Sequence, residues 1–124
     1  MKRAAKKHAP KLWMERVENL VSDGMPDVYA EGPWVELKAA KLPKRATTKL
    51  QMGEGVRTSQ VNWHLKAQTR GLVSFILIRI EERKDEPLLI KGQLAEGVNR
   101  WCADECYAYA AAIGWEAIFK ELTK

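Results

Sequence analysis

Gly24-Met25-Pro26-Asp27-Val28-Tyr29-Ala30-Glu31-Gly32-Pro33-Trp34-Val35-Glu36-Leu37-Lys38 is the stretch on which the reading of this chain turns. Asp27 to Ala30 reads as a short strand, Glu31-Gly32-Pro33 supplies a tight turn, and residues 34–38 resume an extended segment. Two extended segments joined by so short a turn form a hairpin. Side chains alternate between the faces of a strand, so Glu36 and Lys38 project together while Leu37 enters the opposite, apolar layer. The turn brings Asp27 back towards Glu36. Two carboxylates and an ammonium are therefore expected around one point, where the like charges repel unless something cationic neutralises them.

A divalent cation would do so. Mg2+ takes hard oxygen ligands, commonly one or two carboxylates with water and substrate phosphate, and Asp27 and Glu36 offer that set, with the backbone carbonyl of Leu37 as a further ligand. Such an ion polarises a scissile phosphate and lowers the pKa of its water. Lys38 then either positions the attacking water and stabilises the developing charge or, with a depressed pKa, acts as a base. A lone E-x-K triplet reads more simply as a same-face ion pair on a surface hairpin, with Asp27 a turn residue after Pro26. The G-x-P-D at hairpin distance, the basic stretch after Lys38 and the helix carrying Gln60 favour phosphodiester hydrolysis.

Downstream, residues 41–55 are basic and punctuated by Pro43, Gly53 and Gly55, as in a functional loop. Together with Arg57 they make a basic substrate loop, residues 41–57, in which Lys41, Lys44, Arg45, Lys49 and Arg57 are candidate DNA phosphate contacts. Thr58 or Ser59 is expected to cap a helix that runs through Trp63 and Leu65 to about Thr69 and closes at Gly71. Residues 72–80 read as a central strand buried on both faces, 81–86 as a surface turn and 88–90 as a short strand. An alanine-rich helix is expected over 98–113, and a last helix from Trp115 to Leu122 after Gly114. Upstream, Trp13, Val17, Leu20 and Val21 fit a helical stripe while Trp13, Glu15, Val17 and Asn19 alternate as a strand, and helix is the expectation. Residues 1–11 form a basic N-terminal arm, mobile or partly helical. Strands alternating with helices indicate an α/β fold, a central sheet flanked by helices.

At 124 residues the chain has room for one domain. A core of that size is marginal, so a homodimer that covers an apolar face is expected. Net charge +5, concentrated in Lys2 to Lys11 and Lys38 to Arg57, suits a polyanion such as DNA. No apolar run is long enough to span a bilayer and no secretory segment is present, which points to the cytoplasm and away from membranes. Cys102 and Cys106 fall on one side of a helix as two reduced, packed thiols; His8 and His64 lack the spacing of a zinc site. Trp63 and Trp101 are expected to anchor the core or a dimer interface.

Gly24-Met25-Pro26-Asp27, Trp34-Val35-Glu36-Leu37-Lys38, and Gln60 opening a helix that ends at Gly71 before an apolar strand resemble the virus-type replication-repair nuclease (VRR-NUC) branch of the PD-(D/E)XK superfamily. The likeness covers about residues 16 to 80. It implies a restriction-endonuclease-like core with a mixed sheet, in which Asp27 and Glu36 bind Mg2+ or Mn2+, Lys38 assists the water and Gln60 lies beside the site. An additional upstream acid of the family falls on Glu18 or Glu15, with Glu18 preferred as a metal ligand. Many small members are phage-encoded or bacterial homodimers that cut branched DNA such as Holliday junctions, and the resemblance extends that expectation here. A single-strand or flap nuclease and a non-catalytic DNA-binding protein of the same fold are the competing readings.

Overall fold

In a computed structural model, the chain is described over residues 1–17 and 24–124. Ser74-Phe75-Ile76-Leu77-Ile78-Arg79-Ile80 is apolar on both faces apart from Ser74 and Arg79, and it forms the central strand β4, Ser74–Ile80. Leu72 and Val73, which the pattern placed in the strand, lie half-exposed ahead of it. β4 pairs in parallel with β3, Trp34–Ala40, and antiparallel with β5, Leu88–Lys91. Beyond β3 lie β2, Val28–Tyr29, and β1, Glu15–Arg16; beyond β5 lies β6, Ala112–Ile113. Among the described residues this makes one mixed sheet in the order β1-β2-β3-β4-β5-β6.

A parallel pair needs a crossover, and α2, Thr58–Thr69, supplies it between β3 and β4. Its end is closed by chain geometry: Gly71 N–H donates to the Gln68 carbonyl at 3.1 Å and Leu72 N–H to that of Ala67 at 2.9 Å. That pair of bonds is a Schellman motif, and Gly71 takes the left-handed conformation it needs (φ +74°). The start differs from expectation. Arg57 is the residue ahead of the helix, and its N–H donates to Gln60 Oε1 at 2.9 Å, so Thr58 and Ser59 are helical rather than caps.

The sheet has an apolar layer on each face. Ile76, Ile78 and Ile80 of β4 with Leu88 and Ile90 of β5 pack on the side that also holds Leu50, Val56, Val98 and Cys106. Val35, Phe75, Leu77 and Leu89 face the other side, against Ile118, Phe119 and Leu122 of α5, Trp115–Leu122. Helices thus flank a mixed sheet, and none among the described residues is long and apolar enough to cross a membrane.

Of the two forms expected for the basic arm, residues 1–11, it takes the partly helical one: α1, Lys2–His8, buries Ala5 and stacks His8 on Phe119 with ring centroids 6.4 Å apart. Its apolar face consists of alanines, which carry little hydropathy signal. Glu15 and Arg16 are strand, not helix: they pair with Tyr29 and Val28, and Val17 N–H donates to the Asp27 carbonyl at 2.8 Å. Trp13, Met14 and Val17 are not helical either, and residues 18–21 of the expected 13–21 helix lie outside the described residues.

The alanine-rich helix over 98–113 is broken into α3, Ala95–Val98, α4, Ala103–Tyr109, and the strand β6. Helix propensity is overridden by tertiary pairing, since Ala112 and Ile113 take up the free edge of β5. Cys102 N–H donates to Glu105 Oε1 at 3.2 Å and starts α4. The two thiols are free, as expected, and burial, with help from Cys102 and Glu105, pushes that of Cys106 up to about 11, which leaves it inert.

The long basic segment after β3 is pinned at several points. Lys41 and Gln51 exchange backbone hydrogen bonds at 2.9 and 3.0 Å, and Leu50 and Val56 are buried. Asn99 grips the peptide groups of Val56 with both ends of its amide: Oδ1 accepts from the Val56 N–H at 2.7 Å and Nδ2 donates to its carbonyl at 2.8 Å. Asn99→Ala leaves two backbone groups without partners, at a cost of about 1–3 kcal/mol. Hydrogen exchange at Val56 and thermal melts will show the loss, and unchanged protection there would mean that the clamp carries no stability.

Candidate metal-binding active site

The hairpin turn lets one carboxylate meet another. Ala30 N–H donates to the Pro33 carbonyl at 2.8 Å, and Glu31 and Gly32 between them take positive φ. Val28 pairs with Val35 and Tyr29 with Trp34. Continued by one residue, that register sets Asp27 opposite Glu36. Asp27 Oδ2 accepts the Leu37 N–H at 2.8 Å, which orients the carboxylate and shows that the backbone of Leu37 faces the β2 side of β3. A strand residue's carbonyl points to the same side as its N–H, so the Leu37 carbonyl opens on that side too.

Glu36 is only 2% exposed, and no donor among the described residues reaches its buried Oε1. Its carboxyl lies within hydrogen-bonding distance of that of Asp27 when one of the two is protonated. Burial pushes Glu36 up to about 8, the hydrogen bond to Asp27 and then its charge push the same way, and Lys38 and Arg57 pull less strongly downward. Near neutral pH, without a cation, Glu36 therefore keeps its proton.

Lys38 is the third corner. Its Nζ donates to Gln60 Oε1 at 3.0 Å, the same oxygen that takes the Arg57 N–H. Gln60 is buried on the first turn of α2, so one amide oxygen both starts the helix and aims the ammonium. The loop that carries Asp27 is fitted to this turn. A Cβ on Gly24 would lie 2.2 Å from the Ser59 carbonyl oxygen and 2.8 Å from the Gln60 nitrogen, and φ there is +82°. Only glycine lets the loop approach that closely.

The chain matches no family model and no curated protein.

Asp27, Glu36, Leu37, Lys38 and Gln60 are thus brought together. Among the cationic candidates, Arg57 sits at the start of α2 with its charge felt at Glu36. Lys41 instead pairs with Glu81 at 3.6 Å at the far end of β3. Lys44, Arg45 and Lys49 are exposed along the loop, Lys49 being tied by a backbone bridge to Cys102, and among the described residues no hydrogen bond or ion pair joins any of the three to the acids. Glu18 lies outside the described residues. Glu15 stands opposite Tyr29, two residues along the strand from Val17, which bonds to Asp27, and its Oε1 accepts the Trp13 indole N–H at 3.2 Å.

No group of three or more His, Cys, Asp or Glu side chains that could hold an ion is present among the described residues. Asp27 and Glu36 are two carboxylates with one carbonyl beside them, which fits an ion that keeps several waters and takes substrate oxygens, as Mg2+ does, better than a caged Zn2+. The buried Glu36 Oε1 without a donor is the feature a cation would satisfy.

One neighbour escaped the sequence reading. His64, four residues after Gln60 and on the same side of α2, is fully buried, its Nδ1 2.8 Å from Ser74 Oγ. Burial, and then the charge of Lys38, push it down to about 4, so it stays neutral behind the site. Its spacing from Gln60 was the available signal. Both tryptophans of interest are half-buried: Trp63 meets Trp34 edge-on at 6.0 Å, and Trp101 packs against the core and stacks on the exposed Tyr109 at 4.4 Å.

Proposed function

We propose that this chain is a Mg2+- or Mn2+-dependent deoxyribonuclease with a restriction-endonuclease-like core, related to the VRR-NUC branch of the PD-(D/E)XK superfamily and acting on branched DNA. The observation that carries the reading is the buried Glu36 carboxyl set against that of Asp27, beside an ammonium held in place by Gln60. A surface ion pair would leave Glu36 exposed and Lys38 free to rotate. The strand-turn-strand-helix-strand order from β2 to β4 supports the same reading.

Asp27 and Glu36 would hold the ion, with the Leu37 carbonyl adjoining. The ion, when bound, supplies charge to polarise the phosphate and acidify its water. Lys38, fixed through Gln60, orients the attacking water and stabilises negative charge gathering on the phosphate oxygens as the P–O bond breaks. Arg57, at the head of α2, adds positive potential on the substrate side.

The test is a panel of labelled four-way junctions, flaps, single strands and linear duplex incubated with Mg2+, Mn2+ or EDTA. Metal-dependent cutting with preference for junctions is the expected result, and Lys38→Ala should slow it by about 10²-fold or more with an unaltered melt. Equal cutting of all substrates would remove the branched-DNA reading. Salt-sensitive binding with no cutting under any metal would leave a DNA-binding protein of the same fold.

A further inference from the structure

Arg79 is out of place for a central strand. β4 is buried at every other position, and Phe75 and Leu77, which share the face of Arg79, are core. Beside it in register stands Ala39, small and exposed, so the sheet has a shallow floor here instead of a packed layer. α1 forms the wall. A cleft of about 520 Å³ runs between them, lined by Arg3, Ala4, Lys7, His8, Arg79 and Trp115.

At Arg79 it meets a second cleft of about 520 Å³, where Lys41, Lys84 and Glu81 stand around the ends of β3 and β4. Among the described residues, Arg3, Lys7, Arg79 and Lys84 have no ion-pair partner. Arg79 and Arg3 lie close enough together to act, after burial, on the Met1 amine and push it below its ordinary value. Of the nearby acids, Glu81 is held by Lys41 at 3.6 Å and Glu116 by Lys120 at 3.5 Å, and Asp85 lines the adjoining cleft with Lys7 and His8. Unpaired cations gathered in a concavity repel one another, and an anion that enters relieves that repulsion.

We propose that this trough, from Lys41 past Arg79 to Lys7, is a second nucleic-acid site, which takes the phosphodiester backbone of duplex DNA on the face of the sheet away from Glu36 and Lys38. The choice of DNA as the polyanion rests on the nuclease reading above. Arg79 lies on the α1 and α5 side of the sheet, opposite the face of Glu36 and Lys38, so the trough is set apart from the acids and is reached from them around the ends of β3 and β4, where Lys41 stands. A lipid surface suits it less: the large exposed apolar side chains, Trp13, Leu65, Leu72, Val73, Tyr109 and Ile113, line neither cleft. Spread along the trough, the cations contact backbone and read no base.

The experiment measures binding of a labelled duplex of about 20 base pairs by fluorescence anisotropy, in EDTA, across a range of salt concentrations. Arg79→Gln, and separately Arg3→Gln with Lys7→Gln, are compared with Lys91→Gln, which removes one charge from an exposed site outside the trough. Melts establish that each is folded, and the pair on the surface of α1 keeps the test open should Arg79→Gln unfold. The trough variants should bind about three- to tenfold more weakly, and the slope of log K against log salt should flatten by about 0.9 for each phosphate that is no longer neutralised. Lys91→Gln should keep the parental slope. Parental slopes in the trough variants, equal flattening by Lys91→Gln, or tighter binding of the parent to phosphatidylserine vesicles than to duplex would each overturn the site. No metal is present, so a protein that never cuts DNA but loses binding in the trough variants would refute the active-site reading alone.

Discussion

Glu36→Gln should abolish metal-dependent cleavage, by about 10³-fold or more, and yet raise the melting temperature of the metal-free protein at pH 8. Both effects have one cause. In the folded chain the Glu36 carboxyl is pushed up to about 8, by burial first and by Asp27 second, whereas in the unfolded chain it returns to about 4.5. Its stabilising contribution is therefore complete below about pH 4.5 and lost as pH rises through about 8. Glutamine has the same shape and no proton to lose, so the variant should gain on the order of 1–3 kcal/mol over the parent at pH 8 and little at pH 4.5. The same proton must leave when a cation binds. Calorimetric titration with Mn2+ at pH 7, repeated in buffers of different ionisation heat, should show release of close to one proton and affinity that climbs as pH approaches 8. Glu36→Gln should show neither. A parent whose melt is indifferent to pH across that window, or a variant that still cuts, would remove Glu36 from the site.

Gly24→Ala is expected to disable the protein from outside the acid pair. The added methyl group would overlap the backbone of Ser59 and Gln60, which cannot rotate away, and alanine resists the positive φ as well. Relief requires the loop to lift from α2, and Asp27 goes with the loop while Gln60 and Lys38 stay with the helix and β3. The penalty is about 2–4 kcal/mol, and the cleavage rate per folded molecule should fall at least tenfold. Circular dichroism melts and single-turnover rates measured well below the melting temperature separate the two losses. Parental rates in a destabilised variant would show that this close approach supports the fold without aligning the acids.

The hairpin and its acids were legible because each rests on local rules: Glu31-Gly32-Pro33 can only turn, and a strand period of two puts Glu36 and Lys38 on one face. The central position of β4 was legible for the same reason, an apolar run too short for a helix of that burial. What failed was decided by partners distant in sequence. Glu15 and Arg16 are strand because Tyr29 and Val28 offer an edge, and the alanines after Gln93 are divided because β5 offers another. No window of sequence around residues 98–113 contains Leu88. Gln60 was selected by family likeness, yet its bond to Lys38 needs the crossover of α2 onto β3, which only a three-dimensional arrangement supplies. Arg79 was passed over because a single arginine in an apolar strand looks like a strand end until its neighbours are seen to leave a gap.

The two outermost strands of the described sheet, β1 and β6, are each two residues long. So little open backbone gives a second molecule almost nothing to zip onto, which guards a small, sticky polypeptide against fibrous growth at high concentration. Any pairing of two copies on a DNA crossover would have to be built from side chains on the flanks of the molecule, leaving its ladder of hydrogen bonds closed within one chain.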